Sequence, residues 1–243
     1  MLMRSKRIRS NPRVIAVASG KGGVGKTMTA INLAYSLKDK GYDVGLLDVD
    51  TTGSNIPKIL GLTGSKLSVN SDNIEPVLTD NGIKVMGVGL LTPSDDTPVV
   101  FRGSKKYNYV KQFIDRVKWG EIDYLVIDFP PGWGEEFISV MDLFKKSIYG
   151  VVIVTIPSKM SIIDVRKTAS LCKKLKLNII CLVNNMSLYK CCKCGNESNV
   201  FCSGDMDKFK TDYNIDKVID LPIVDKLDSN ILIFKEYFKY LEV

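Results

Sequence analysis

Apolar residues occur in short continuous runs that alternate with segments of helical spacing. The runs are rich in β-branched residues and most end in a turn or a polar cluster, which is typical of buried parallel strands. An additional short edge strand is expected at 74–78. The strands predicted in this way cover residues 14–18, 44–50, 83–91, 124–128, 150–155, 179–186 and 218–223.

Segments with apolar residues at helical spacing follow several of these runs. The first helix is expected to begin at about Thr27 and to stop at Gly41, and others are expected at 105–117 and after Pro157. A last amphipathic helix is predicted at 230–240, and packing on the sheet is favoured over membrane attachment. Strands alternating with helices predict an α/β fold, with a doubly wound and mostly parallel sheet.

Bulk properties narrow the possible functions. The chain has 243 residues and a formal net charge of +7, with lysines spread over its whole length. We expect a flexible basic arm at 1–12 and one domain at 13–243. No export signal and no apolar run long enough to span a bilayer is found, so a cytoplasmic protein without a membrane partner is expected. No basic stripe interleaved with aromatic residues stands out, so a nucleic-acid partner is not expected. Histidine is absent, so a metal site must use cysteine or carboxylate.

A glycine-dense turn between the first strand and the first helix carries the clearest chemical pattern. Gly20, Gly25, Lys26 and Thr27 satisfy G-x-x-x-x-G-K-[ST]. In such a loop, backbone N–H groups and the helix N-terminus hold phosphates, and the lysine reaches the β- and γ-phosphates. The threonine hydroxyl helps to hold Mg²⁺. The predicted nucleotide-binding residues here are Gly20, Lys21, Gly22, Gly23, Val24, Gly25, Lys26, Thr27 and Met28.

Three aspartates are expected where strands end. Asp48 and Asp50 follow one apolar run, and Asp128 follows another, directly before Pro130-Pro131-Gly132. Asp128 stands where an acid would hold Mg²⁺ through water. For Asp48 and Asp50 the alternative is a structural role, in which the acids end a strand and cap the next helix.

Four of the six cysteines fall within residues 191–202. Cys191 and Cys194 form C-x-x-C followed by glycine, a spacing that lets two thiolates converge on one metal ion or cluster. Two ligands do not complete a four-ligand site, but a dimer with the motif on its two-fold axis does. A single chain would instead need Cys202, with or without Cys192.

Three stretches together resemble a known family. K-G-G-V-G-K-T resembles the deviant phosphate loop of the MinD/ParA/nitrogenase-iron-protein class of dimeric ATPases. D-F-P-P-G and N-M-S-x-Y-x-C-x-x-C-G resemble its Mrp/ApbC branch, the ATP-dependent carriers of iron–sulfur clusters. The resemblance covers about 14–227.

The resemblance implies a function and several residue roles. It implies that the chain binds and slowly hydrolyses ATP with Mg²⁺ as a homodimer and transfers clusters to apo iron–sulfur proteins. Lys21 would reach the partner's nucleotide, Asp50 would orient the attacking water and Asp48 would assist at the metal. Asn185 would contact adenine, unless it only ties down a turn, and Pro222 would line the adenine side. Cys191 and Cys194 would hold a cluster, 4Fe-4S in type, across the dimer.

Two rival functions stay open at this point. One is a positioning ATPase of the ParA/MinD kind, acting on DNA or membrane, with at most a structural metal at the cysteine loop. Such an ATPase has no need for paired thiols, so the cysteine motif speaks against it. The other is a dimer with structural zinc, whose ATPase drives the exchange of a regulatory partner.

Overall fold

A computed structural model describes residues 11–50, 54–65, 67–70, 73–90, 111, 115–132, 135–145, 147–201, 206–224 and 230–243. Residues 1–10 of the predicted basic arm, most of the predicted helix at 105–117, and Cys202 lie outside the described residues. At the end of that predicted helix, Val117 forms a bridge with Ile74.

The described residues form an eight-stranded sheet in the order β10-β7-β6-β1-β5-β2-β4-β3. All neighbouring strands run parallel except β3 and β4. A separate antiparallel hairpin is formed by β8 and β9. The strands are β1 (Arg13–Ser19), β2 (Val44–Asp48), β3 (Val77–Leu78), β4 (Lys84–Gly87), β5 (Tyr124–Asp128), β6 (Ile148–Thr155), β7 (Ile179–Asn184), β8 (Tyr189–Lys190), β9 (Glu197–Ser198) and β10 (Val218–Asp220).

The predicted strand at 83–91 is wrong in its second half. β4 ends at Gly87, and a 3-10 helix follows over Val88–Leu90. The backbone here passes very close to the loop after β2: a Cβ on Gly87 would lie 2.9 Å from Asp48 Cβ, and one on Gly89 would lie 3.0 Å from Ser54 O. The chain therefore curves over that loop instead of continuing the strand.

Helices cover both faces of the sheet. They are α1 (Lys26–Asp39), α2 (Ile56–Ile59), α3 (Glu135–Leu143), α4 (Lys159–Lys174) and α5 (Met206–Tyr213). Alternate residues of β1 point to opposite faces, so Ala16 packs with α3, α4 and α5, whereas Val17 packs with α1. The prediction of a doubly wound, mostly parallel sheet is confirmed. None of the described helices combines the length and apolarity that crossing a bilayer requires.

The C-terminal segment, residues 230–243, is not the predicted α-helix. Turns lead into a short 3-10 helix at Lys235–Phe238. An α-helix would need the N–H of Phe234 for a carbonyl one turn back, but this N–H donates to Asn32 Oδ1 of α1 at 3.0 Å. The segment packs on the core as predicted, because Phe234, Phe238 and Leu241 are buried beside α1.

This packing gives a test of the prediction that 13–243 form one domain. Phe238→Ala removes a ring that is 1% exposed and should lower the free energy of unfolding by about 3–5 kcal/mol. Tyr240→Ala, on the same segment but 84% exposed, should change it by less than about 0.5 kcal/mol. Urea denaturation followed by circular dichroism measures both. Equal stability of the two variants would mean that the segment is not part of the cooperative unit.

Candidate nucleotide and cysteine sites

The carboxyl ends of the parallel strands place the predicted site residues along one edge of the sheet. β1 leads into the glycine loop at Ser19, β2 ends at Asp48 and β5 ends at Asp128. Asp48 and Asp128 are register partners on neighbouring strands. Chemistry-bearing residues that are far apart in sequence therefore meet at the crevice where ligands bind in open α/β sheets.

The glycine loop has the conformation that its sequence predicts. Gly23 and Gly25 have φ values of 77° and 90°, in the left-handed region where side chains are unfavourable. Gly25 also caps the N-terminus of α1. A Cβ on Gly20 would lie 2.7 Å from the backbone of Asp164 in α4, and one on Gly25 would collide with the Asn185 amide. The left-handed backbone torsion thus requires glycine at positions 23 and 25. The neighbouring chain also leaves no room for a side chain at positions 20 and 25.

Lys26, Thr27 and Asp128 form a compact buried cluster at the base of the loop. Lys26 Nζ lies 2.6 Å from Asp128 Oδ1, and the Thr27 hydroxyl donates to Asp128 Oδ2 at 2.7 Å. Burial raises the pKa of Asp128, while the ion pair with Lys26 acts in the opposite direction. The attraction of Lys26 thus offsets part of the free-energy cost of burying the Asp128 carboxylate away from water.

Asp48 holds the loop that follows β2. Its Oδ1 accepts the N–H of Asp50 at 3.0 Å. Its Oδ2 accepts the Ser54 hydroxyl at 3.0 Å and the N–H of Ile56 at 3.2 Å. Burial, and then the neighbouring Asp128, raise the pKa of Asp48 to about 7. The structural alternative for this acid thus has direct support, and its assistance at a metal stays a prediction.

A cavity of about 500 Å³ opens above these residues. Its size falls in the range of small-molecule sites. Gly20, Val24, Asp48 and Asp128 do not line it. The predicted residues that do are Lys21, Gly22, Gly23, Gly25, Lys26, Thr27, Met28, Asp50, Asn185 and Pro222.

Asn185 is held against the glycine loop. Its Nδ2 donates to Val24 O at 2.9 Å, and the side chain is buried. The amide thus joins the end of β7 to the phosphate loop, which supports the alternative of a structural role. Contact with adenine stays a prediction, since Asn185 also lines the cavity.

Several cavity residues were missed by the sequence reasoning. Thr29 and Met186 lie next to predicted residues, and Pro131 belongs to the Pro-Pro-Gly stretch that follows Asp128. Phe234 comes from the C-terminal segment, where its apolar spacing indicated only packing. No local signal in the sequence distinguishes it from its buried neighbours.

The donor set near the glycine loop fits Mg²⁺. This cation prefers oxygen ligands, few of them from protein. Thr27 and Asp128 supply a hydroxyl and a carboxylate that already contact each other. The charge of Asp128 adds to burial in raising the pKa of Asp48, and a divalent cation beside the two acids would offset that repulsion.

The C-x-x-C motif lies in the turn of the β8–β9 hairpin. The N–H of Cys191 donates to Asn196 O at 2.9 Å, and the N–H of Gly195 donates to Cys191 O at 2.8 Å. Gly195 has a φ of 70°, which closes the turn. Cys192 and Cys194 are exposed and Cys191 is half-buried. Among the described residues, no three Cys, Asp or Glu side chains come together to hold one metal ion.

The hairpin and the cavity are built on the same backbone. Both the N–H and the hydroxyl of Ser187 donate to Leu221 O, at 2.9 and 3.1 Å. The N–H of Ile223 donates to Leu188 O at 2.7 Å. Leu221 and Ile223 line the cavity, whereas Ser187 and Leu188 lead directly into β8. A displacement of this cavity wall would therefore also displace the base of the cysteine hairpin.

Known proteins resemble the chain over most of its length. It is 44% identical over 225 residues to the cytosolic Fe-S cluster assembly factor NUBP2 homolog of Dictyostelium discoideum, covering 91% of this chain and 83% of that one. It is 42% identical over 209 residues to the iron-sulfur cluster carrier protein of Saccharolobus solfataricus, covering 86% and 70%.

The fold also matches a solved structure, the nucleotide-binding protein of Archaeoglobus fulgidus in complex with ADP. The TM-score is 0.79 at 32% identity, and the match covers 95% of this chain and 92% of that one. A family model described as NUBPL iron-transfer P-loop NTPase matches residues 10–232. The sheet order, the phosphate loop and these matches agree, and the chain belongs to the NUBPL iron-transfer P-loop NTPase family.

Proposed function

We propose that this protein is an ATP-dependent carrier of iron–sulfur clusters, which hydrolyses ATP and passes clusters to apo iron–sulfur proteins. One observation carries the proposal. The chain that leaves β7 contributes Asn185 and Met186 to the cavity and then forms the hairpin that holds Cys191 and Cys194. Nucleotide chemistry and thiolate chemistry therefore share one continuous stretch of backbone.

The cavity residues suit the handling of a nucleoside triphosphate. Lys26 would exchange its contact with Asp128 for phosphate oxygens, because both partners are anionic and the lysine lies at the helix N-terminus. Thr27 and Asp128 would hold Mg²⁺, which when bound neutralises charge on the phosphates. Asp50 lines the cavity and is the acid available to orient a water molecule.

The cysteine hairpin suits a cargo that must leave. Cys194 is exposed, so a cluster bound there would lie at the protein surface, within reach of a recipient. Two thiolates per chain bind a cluster firmly only if another molecule provides the remaining ligands. A homodimer with the motif on its two-fold axis would provide four thiolates, two from each chain. In that dimer Lys21, which lines the cavity, would approach the partner's nucleotide.

The names of the relatives support this function over a positioning ATPase. The two curated relatives are named for iron–sulfur carriage and assembly. The matched family is an iron-transfer family. A C-x-x-C motif can also bind structural zinc, which is therefore the remaining alternative. Reconstitution with iron and sulfide distinguishes zinc from a cluster.

One prediction of this proposal concerns the cysteines that would bind the cluster. After anaerobic reconstitution with iron and sulfide, the protein should show visible absorbance from a cluster. Cys191→Ser and Cys194→Ala should each abolish the absorbance and the transfer to an apo acceptor while leaving ATP binding intact. Cys181→Ala, which removes a buried thiol of β7, is the control and should keep both. A colourless protein containing zinc would refute the proposed carrier.

A second prediction concerns Asp128. Asp128→Asn preserves shape but removes the charge that faces Lys26 and the proposed Mg²⁺. ATP hydrolysis should fall about 10–100-fold, as is usual when a group that supports a metal is lost. Asp43→Asn, an exposed acid far from the cavity, is the matched control and should keep full activity. Hydrolysis at the wild-type rate in Asp128→Asn would remove this residue from the nucleotide site.

Thiol reactivity provides a third prediction. Burial raises the pKa of Cys172 and of Cys181 to about 12, so both stay protonated and shielded at pH 7.5. Brief alkylation of the folded, cluster-free protein should modify Cys191, Cys192 and Cys194 and spare those two. Peptide mass spectrometry measures the pattern, and denaturation before alkylation should make it uniform. Modification of Cys172 in the folded protein would contradict the burial described above.

A further inference from the structure

Met186 has a backbone conformation that is unusual for a residue with a side chain. Its φ is 55°, in the left-handed region. Two other described residues besides glycine share this region, Lys176 and Asn214. Both end a helix, since the N–H of the next residue donates to a carbonyl five positions back, the usual closure of a helix. Met186 follows the strand β7 instead, so helix termination does not explain its conformation.

The residue before Met186 is fixed to the phosphate loop. The backbone N–H of Asn185 donates to Thr155 O at 2.8 Å, and its side-chain Nδ2 donates to Val24 O at 2.9 Å. Val24 lies between the two glycines of the loop that have a positive φ, and it is 2% exposed. A displacement of the loop backbone at Val24 therefore acts directly on Asn185.

The residue after Met186 is fixed to the base of the cysteine hairpin. The N–H and the hydroxyl of Ser187 both donate to Leu221 O. The next carbonyl, Leu188 O, accepts the N–H of Ile223, and Tyr189 forms a parallel bridge with the same residue. Tyr189 begins β8, which leads directly into the C-x-x-C turn. Every residue from Ser187 to β8 thus has a fixed backbone contact.

Met186 is therefore the link between two fixed segments of backbone. For a residue with a side chain, the left-handed region is small, so the backbone torsions at this position are closely restricted. Glycine would allow a much wider range of torsions. The restriction keeps Asn185 and Ser187 in one relative orientation. A displacement of Asn185 is then passed on to Ser187, because Met186 cannot absorb it by rotation.

We propose that Met186 is a positioning residue, whose backbone transmits the occupancy of the phosphate loop to the cysteine hairpin. Phosphates held by the N–H groups of the loop reorient its backbone, including Val24. Asn185 follows Val24 through its hydrogen bond, and Met186 passes the displacement to the base of the hairpin. The inference rests on the proposed binding of ATP. It adds a regulation of the same site, in which bound phosphates set how firmly Cys191 and Cys194 are held.

The test measures amide hydrogen exchange by NMR in the cluster-free protein, with and without Mg²⁺ and a non-hydrolysable ATP analogue. The reporters are the N–H groups of Cys191 and Gly195, which are hydrogen-bonded within the hairpin. Neither residue lines the cavity, so a change in their exchange reports transmission and not contact with the ligand. In wild type the saturating analogue should slow their exchange about fivefold or more, the lower end of the usual coupling between two sites.

Three variants locate the transmission. Met186→Gly suits the left-handed torsion, so the protein should fold, but the slowing at the hairpin should drop below about twofold because glycine absorbs the displacement. Met186→Leu leaves the backbone as restricted as before and should keep the wild-type response. Lys176→Gly is the matched control: it replaces another left-handed residue by glycine, at the end of α4 and outside the cavity, and should also keep the response. Calorimetry sets a saturating concentration of the analogue for each variant.

The outcomes separate this inference from the proposed function. If wild type binds the analogue and exchange at the hairpin does not change, transmission is refuted and the carrier function stands. A full response in Met186→Gly would assign the transmission to the cavity wall at Leu221 and Ile223, and loss of the response in Met186→Leu would assign it to the methionine side chain. Either result overturns the role of the Met186 backbone. If wild type does not bind the analogue or ATP, it is the proposed function that fails.

Discussion

The buried ion pair between Lys26 and Asp128 is the interaction on which the nucleotide site depends. Removing one partner of such a pair costs roughly 3–5 kcal/mol, because the other charge stays buried without compensation. Lys26 can therefore turn to phosphate only if a cation takes its place at Asp128. In the proposed function, a complex of nucleotide and Mg²⁺ would supply both charges at once, so the site would favour the complex over either component.

The parallel sheet explains why this pair and the start of the cysteine hairpin lie along the same edge of the sheet. Parallel strands deliver their carboxyl ends to one edge. Asp128 ends β5, and Asn184 ends β7 three strands away, with β1 and β6 between them. From β7 the backbone continues through Met186, whose φ of 55° is unusual for a residue with a side chain. Such strain persists where surrounding contacts hold it, and here the Asn185 and Ser187 bonds lie on either side.

Most of the sheet and the phosphate loop could be predicted because their signals are local. An apolar run followed by glycines, lysine and threonine defines a strand, a turn and a helix within one stretch. The partners of Asn185 and Asn32 could not be predicted in this way. Their long-range bonds join residues 161 to 202 positions apart, and nothing near an asparagine in the sequence shows which distant backbone group it will meet. The C-terminal helix was predicted wrongly for the same reason, since Asn32 takes the N–H that the helix needed.

The cysteines that the structure describes separate by chemistry as well as by position. Cys172 and Cys181 lie in the core, where burial keeps them protonated and removes them from metal chemistry. Cys191 and Cys194 lie on a hairpin whose backbone turn is closed by Gly195, so their spacing is held while the thiols stay accessible. A structural metal site is closed by its four ligands within one fold. The C-x-x-C motif supplies two thiols at an exposed turn, with Cys192 between them, and in the proposed function that arrangement suits a cargo that is held between molecules and then released.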